Sequence, residues 1–158
     1  MSLRAPARPA TSPWFLRALG GVLFLSLSTG AAEPDKGTIT VKLTGFDSDK
    51  GVAMLALFDD ADAFPTKAER ARKTLRVPIA NKQVVTAFQA VPHGTYAISV
   101  FHDENGNGQL DSNFLGIPKE PLGSSNNAKG RMGPPKWQDA KFPLSGPTAT
   151  QNIQIRRL

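Results

Sequence analysis

One short stretch of the chain carries oxygen-bearing side chains at every second position. It begins with Asp103, Asn105 and Asn107, and continues with Gly108 at the sixth position counted from Asp103 and Asp111 at the ninth. Calcium-binding loops supply ligands from positions one, three, five and nine, and need a glycine at the sixth for a sharp turn. Carboxylate and amide oxygens are ligands that Ca²⁺ prefers. The spacing therefore predicts a calcium-binding loop.

The remaining ligands of the predicted calcium site depart from the usual pattern. We expect the backbone carbonyl of Gln109 to supply the seventh position. The twelfth position usually carries a bidentate glutamate, but here it is Phe114. Glu120, in the segment that follows, is the nearest candidate to replace that glutamate. With so few carboxylates we expect weak calcium binding, with a dissociation constant of about 10⁻⁴ to 10⁻³ M.

The same stretch has a second interpretation that requires no metal. Asn-Gly turns and turns that begin with Asp form through hydrogen bonds between side chains and the backbone. The alternating run with the later Asp111 is more specific than a single Asn-Gly pair. We therefore favour the calcium interpretation and keep the metal-free turn as its alternative.

No pattern of catalytic residues stands out in the chain. His93 and His102 are the only histidines and cysteine is absent, so a zinc site would need both histidines together with carboxylates. A glycosidase-like carboxylate pair could be drawn from the acidic residues between 103 and 120, but nothing singles out two of them. The motifs of serine hydrolases, zinc proteases and phosphate-binding loops are missing. We predict no catalytic residues, no organic cofactor and no enzymatic activity.

Residues 1–32 have the three-part layout of a secretory signal peptide. The first part contains three arginines and no acid, the second is the apolar run from Ala18 to Leu27, and the third consists of small residues. The apolar run is shorter than the roughly 20 residues that a membrane-spanning helix needs. We predict cleavage after Ala31 or Ala32, a domain at 33–158 without a transmembrane segment, and a periplasmic or secreted location. An uncleaved N-terminal anchor is the alternative.

The charge of the predicted mature domain argues against nucleic acid as a partner. Residues 1–32 contain three of the 19 basic residues and none of the 13 acidic residues. The remaining chain therefore has 16 basic and 13 acidic side chains, a net charge near +3. So mild an excess, in an exported protein, does not indicate binding to phosphate backbones.

Seven short stretches have the composition and spacing of β-strands. They are residues 37–46, 52–58, 73–79, 83–91, 95–101, 137–144 and 148–156. We expect the first two to form a hairpin, with 52–58 in the centre of a sheet because it is apolar on both faces. Turns connect the stretches and little helix is expected, so the pattern predicts an all-β fold, a single β-sandwich of two sheets.

Residues 112–135 form a long segment rich in Gly, Pro and Asn with little periodicity. Such a loop in a small domain is usually functional or disordered. Phe114, Arg131 and Trp137 lie in or near it, and aromatic and basic side chains suit contacts with a glycan or a peptide. An alternative function is therefore a carbohydrate- or peptide-binding accessory protein of the cell envelope that uses loop 112–135.

Several runs of the sequence resemble a known group of exported bacterial proteins. The runs are Val91–Ile98 (VPHGTYAI), His102–Gly108 followed by Asp111 (HDENGNG), Gly116–Glu120 (GIPKE), Ser125–Asn127 (SNN) and Trp137–Ala140 (WQDA). On these motifs the chain resembles the family called domain of unknown function 2141. The resemblance implies an exported protein with an immunoglobulin-like or prealbumin-like sandwich, and it implies no activity.

Overall fold

The structure is a computed structural model that describes residues 35–158. The signal peptide predicted at residues 1–32 lies outside the described residues. The strands are β1 Lys36–Thr44, β2 Val52–Phe58, β3 Lys73–Pro78, β4 Gln83–Pro92, β5 Gly94–Asp103, β6 Leu122–Ser124, β7 Phe142–Leu144 and β8 Thr148–Gln154. One short helix, α1, spans Trp137–Ala140, and 3-10 turns span Ala68–Arg70 and Ser125–Asn127. Within this range, no helix is long and apolar enough to cross a membrane.

The strands form two sheets that pack face to face. The first sheet has the order β4-β1-β8, in which β1 is antiparallel to β4 and parallel to β8. The second sheet has the order β3-β2-β5-β6, and β7 pairs with β5 as well. β6 pairs with the later half of β5 and β7 with its beginning, so both lie on the side of β5 that faces away from β2. This architecture confirms the predicted two-sheet β-sandwich.

The main hydrophobic core lies between the two sheets. Ile39 and Val41 of β1 are fully buried, while the polar residues that alternate with them are more exposed, as expected for a strand with one solvent-facing side. Leu55 of β2 and Ile98 of β5 meet them from the second sheet within the same cluster. The alternation of apolar residues along the sequence therefore predicted the inner faces of β1 and β5.

A second apolar cluster covers the outer face of the second sheet. Phe58 of β2 and Ala97 of β5 lie on this face, where they contact Phe64 from the segment after β2 and Ala140 of α1. The rings of Phe58 and Phe64 pack edge to face with centroids 5.6 Å apart. β2 is thus buried on both faces and lies between β3 and β5, which confirms its predicted central position.

The predicted hairpin of the first two strands is wrong. β1 pairs with β4 and β8, whereas β2 pairs with β3 and β5, so the turn at 45–51 crosses from one sheet to the other. Two glycines with positive φ, Gly45 (90°) and Gly51 (68°), give the chain the backbone freedom for this crossing. A hairpin turn and a short turn that crosses between two sheets have the same kind of sequence, because contacts elsewhere in the chain determine which strands pair.

The predicted single strand at 137–144 is also corrected. Its first half is the helix α1, closed by the bond from the Lys141 N–H to the Trp137 carbonyl at 2.8 Å, and only β7 is extended. The turn places the Trp137 ring against Phe64, with centroids 6.0 Å apart. Ala140, Phe142 and Leu144 are buried as predicted, because a helical turn that leads into a strand buries the same three residues.

The long segment 112–135 is more structured than the sequence indicates. It contains β6, which pairs with Ser99, Val100 and Phe101 of β5, and the 3-10 turn Ser125–Asn127. A strand of three residues is too short to show a period of two. The middle part of the segment is therefore attached to the second sheet.

Substituting Phe64→Ala should destabilise the domain by about 3 kcal/mol, because it leaves a cavity between Phe58 and Trp137. The free energy of unfolding is measured by urea denaturation followed by circular dichroism. Val85→Ala is the matched control, since Val85 is 68% exposed on β4 and its truncation should change stability by less than about 0.5 kcal/mol. Equal losses in the two variants would show that the outer cluster adds no stability.

Candidate functional site

The candidate site begins where β5 ends, at the fully buried Asp103. One carboxylate oxygen, Oδ1, accepts the backbone N–H groups of Gly106 at 2.8 Å and Asn107 at 3.1 Å. The other, Oδ2, accepts the N–H of Gly108 at 2.9 Å. Gly106 and Gly108 both have φ of 77°, a conformation that side chains disfavour. The two glycines therefore allow the chain to wrap around one carboxylate.

The side chains of Asn105, Asn107 and Asp111 meet on the exposed side of this loop. The Asn105 Nδ2 donates to the Asp111 Oδ2 at 2.6 Å, and the Asn107 Nδ2 lies 3.3 Å from both Asp111 oxygens. Each amide oxygen accepts a backbone N–H two residues on: Asn105 Oδ1 that of Asn107 at 2.9 Å, and Asn107 Oδ1 that of exposed Gln109 at 2.7 Å. A carbonyl oxygen has two lone pairs, so each retains one for another partner.

Glu120, which is only 4% exposed, joins the two ends of the loop. Its Oε1 accepts the N–H of Glu104 at 2.9 Å, and its Oε2 accepts the N–H of Asp111 at 3.1 Å. A backbone bond from the Lys119 N–H to the Asp111 carbonyl, at 2.8 Å, brings Glu120 back to this position. The carboxylate proposed from sequence to replace the missing twelfth ligand therefore does contact the loop.

Within residues 35–158, no three Asp, Glu or His side chains gather closely enough to form a metal site on their own. A cation in this loop would thus need amide and backbone oxygens as ligands, and Asp103, Asp111 and Glu120 would have to move closer to one another to share it. Such mixed oxygen sets suit Ca²⁺, which takes six to eight oxygen ligands in flexible geometry. The calcium site, including its Gln109 carbonyl, stays a prediction.

Two arginines that sequence reasoning missed hold the loop from outside. Arg157 donates from Nη2 to Glu104 Oε1 at 2.7 Å and from Nη1 to the Lys119 carbonyl. Its Nη2 also lies 3.3 Å from Asp47 Oδ2. Arg76 of β3 donates to the Gly106 carbonyl at 3.2 Å. These partners are far apart in sequence, and no local signal predicts them.

The two histidines lie at opposite ends of β5 and cannot share a zinc ion. His93 is exposed just before β5, and buried His102 precedes Asp103. Nine residues of extended chain separate them by about 30 Å. The His102 Nε2 lies 2.7 Å from the Lys50 carbonyl, and the ring packs edge to face on Phe46. His102 therefore connects the turn between the sheets to the end of β5.

A shallow recess of about 550 Å³ lies at the other end of β5. Burial raises the pKa of its Tyr96 phenol, and the nearby Arg72 guanidinium opposes that rise. The lining residues are Asp59, Arg72, Pro92, His93, Gly94, Thr95, Tyr96, Trp137 and Lys141. Residues 103–111 form the calcium-type loop. Phe114, by contrast, belongs to the segment that follows this loop and is 94% exposed. Phe114 and Trp137 therefore do not form the single glycan or peptide surface that the sequence suggested.

The Ser-Asn-Asn run is structural, a role that the sequence analysis did not assign. The Ser125 Oγ accepts the Ile98 N–H at 2.9 Å and donates to the Ala140 carbonyl at 2.6 Å. Asn126 and Asn127 both adopt positive φ, at 56° and 52°. Asn127 also accepts the N–H of Gln154 at 2.8 Å. The run therefore ties the long segment to β5, α1 and β8.

Substituting Glu120→Ala should open the loop at both ends, because the N–H groups of Glu104 and Asp111 lose a charged acceptor. We expect the free energy of unfolding to fall by about 2 kcal/mol or more. Hydrogen exchange at these two amides should become faster than in the original chain, and by more than at the amides of β1. Glu120→Gln keeps one carbonyl oxygen and should lose less. Unchanged exchange in Glu120→Ala would contradict this role of Glu120.

The comparisons with known proteins agree with the family resemblance. A family model described as "Uncharacterized protein conserved in bacteria" matches residues 41–152. Comparison with curated proteins and with solved structures gave no match. Because the family model covers most of the chain, including the strands β2 to β7 and the whole calcium-type loop, the protein belongs to the bacterial family DUF2141.

Proposed function

We propose that this protein is an exported β-sandwich module without catalytic activity, and that Ca²⁺ bound in the loop 103–120 stabilises it. The observation that carries the proposal is the path of this loop. Asp103 gathers three N–H groups around its carboxylate, while Asn105, Asn107 and Asp111 meet at one place. These side chains already lie close together, so rotation of the two amides would turn their oxygens towards an ion at this place without a large movement of the loop.

The proposed ligands come from both parts of the loop. The first part supplies the side chains of Asp103, Asn105 and Asn107 and the carbonyl of Gln109; the second part supplies Asp111 and Glu120. Hydrogen bonds from N–H groups orient the Asp103 carboxylate: Oδ1 accepts two of them and Oδ2 one, which leaves a lone pair on Oδ2 for the ion. The ion would contribute positive charge and would connect the two parts of the loop, and it would take part in no reaction.

Electrostatics supports a cation in this loop. Four carboxylates, those of Asp103, Glu104, Asp111 and Glu120, lie within 18 consecutive residues. Of these, Glu104 pairs with Arg157, and the Glu120 carboxylate accepts the backbone N–H groups of Glu104 and Asp111. Like charges near one another repel, and a divalent cation bound among them would offset that repulsion.

The metal-free interpretation is a turn closed by the amide nitrogens of Asn105 and Asn107 on Asp111. In that case the amides already satisfy the Asp111 carboxylate, and calcium adds nothing. In the calcium interpretation, each amide presents its oxygen to the ion. The two interpretations differ in whether calcium changes the stability of the protein.

Calorimetric titration with calcium should detect binding with a dissociation constant of about 10⁻⁴ to 10⁻³ M. At free calcium about ten times this constant, binding adds about 1.4 kcal/mol to the free energy of unfolding. The melting temperature should therefore rise by a few degrees. Absence of both heat and thermal shift at millimolar calcium would exclude the site.

The variant Asp111→Asn should weaken calcium binding by about tenfold or more, because it removes one of few carboxylate ligands. Asp62→Asn is the matched control, since Asp62 is exposed in the segment after β2 and should leave calcium binding unchanged. If both variants bind calcium as the original chain does, the ligand assignment is wrong.

The proposal of export rests on the arginine-rich start, apolar run and small residues of 1–32. Expression of the complete chain in a Gram-negative host should yield a protein in the periplasm or medium that begins at Ala32 or Glu33. Mass spectrometry of the purified protein determines this N-terminus. Recovery of the uncleaved chain with the inner membrane would favour the N-terminal anchor.

A further inference from the structure

A short segment after the calcium-type loop exposes large apolar side chains side by side. Phe114 is 94% exposed, Leu115 68% and Ile117 46%. We call these three side chains, with the backbone of residues 113–117, the apolar tip. Large apolar side chains that lie this exposed and this close in the sequence are candidates for contact with a partner or a membrane.

Hydrogen bonds give the apolar tip a defined shape. The Asn113 N–H donates to the Ile117 carbonyl at 2.9 Å, and the Gly116 N–H donates to the Asn113 carbonyl at 2.9 Å. The Asn113 Oδ1 accepts the N–H groups of Leu115 at 2.9 Å and Ile117 at 3.0 Å. At the base, Ser112 and Pro118 form a β-bridge. The turn is thus closed on itself, and its apolar side chains point away from the sandwich.

We propose that the apolar tip inserts into the surface of a lipid bilayer that contains anionic headgroups, and that Ca²⁺ in the adjoining loop promotes this insertion. The inference rests on the proposed calcium site for its second part. Phenylalanine and leucine are side chains that interfacial segments bury at the boundary of headgroups and acyl chains. Lys119, exposed at the base of the tip, suits contact with anionic headgroups.

The size of the tip favours a bilayer over a second copy of the chain. Three side chains offer at most a few hundred Å² of apolar surface. A stable protein interface buries about 800 Å² on each partner. A small tip on a closed turn fits poorly against a matching convex tip, whereas a bilayer adapts to any shape that enters it.

The charge around the loop explains why calcium would matter. Residues 103–120 carry four carboxylates and Lys119, and Arg76 and Arg157 contact this segment. Asp47 also pairs with Arg157, so the formal charge of the set with Asp47 is −2, which disfavours an anionic surface. One bound Ca²⁺ changes it to 0, which removes this repulsion.

The proposed calcium site and the apolar tip share their base. Asp111 is a proposed ligand, and its carbonyl accepts the Lys119 N–H at 2.8 Å, which closes the segment that carries the tip. Glu120 follows Lys119 directly and holds the Asp111 N–H. An ion bound by Asp111 and Glu120 would therefore fix both chain segments from which the tip extends.

Co-sedimentation with lipid vesicles tests the inference, using the protein recovered from expression of the complete chain. Binding to vesicles of phosphatidylglycerol and phosphatidylcholine should appear with calcium and fall by about tenfold with a chelator. Vesicles of phosphatidylcholine alone should bind less. Equal binding with and without calcium would overturn the proposed calcium dependence.

The double variant Phe114→Ser with Leu115→Ser should lose vesicle binding by about tenfold or more and keep calcium binding by calorimetry. The matched control is Val85→Ser, an exposed apolar residue on β4 of the other sheet, which should bind vesicles as the original chain does. Retained vesicle binding in the double variant would overturn the inference.

Two further outcomes separate this inference from the proposed function. Calcium binding without any vesicle binding would overturn the membrane inference and leave the calcium site intact. Absence of calcium binding would remove the calcium site and, with it, the calcium-dependent insertion. A dimer in sedimentation equilibrium that the double variant abolishes would overturn the inference in favour of self-association through the tip.

Discussion

The structure around the candidate site depends most on one buried carboxylate, that of Asp103 at the end of β5. It is fully buried, and the N–H groups of Gly106, Asn107 and Gly108 surround it. A buried charge is costly unless it is hydrogen-bonded, and bonds to an ionised acceptor are the strong ones. Without the carboxylate, three donors would lose their acceptor; without the loop, the charge would stay uncompensated. The path of the loop therefore follows from the position of a single side chain.

The long segment after β5 is stable because it is tied down at intervals. Glu120 attaches it to the loop, β6 pairs with β5, Ser125 bonds to Ile98 and Ala140, and Asn127 bonds to β8. Loop-closure entropy rises only slowly with length, so a few attachments suffice to hold many residues. Between two attachments, at 112–118, the chain contacts little of the sandwich, and there it exposes Phe114.

Sequence patterns predicted those features that depend on a residue and its near neighbours. The burial of Ile39 and Val41 follows from their alternation with polar residues, and the central position of β2 follows from a run that is apolar on both faces. The patterns did not predict features that depend on contacts between residues far apart in the sequence. α1 forms where Trp137 can pack on Phe64. Arg157 donates hydrogen bonds to Lys119 and Glu104, which lie 38 and 53 positions away in the sequence.

The turn that crosses between the two sheets meets the candidate site at Gly51. A Cβ atom at this residue would lie 1.9 Å from the Asp103 carbonyl oxygen, so only glycine lets the two segments approach. Val52 pairs with Asp103 across the sheet, and His102 contacts the Lys50 carbonyl from the same end of β5. The turn that carries the chain from the first sheet to the second thus packs directly on the residue that opens the loop. The pairing of β2 with β5 therefore positions the candidate site.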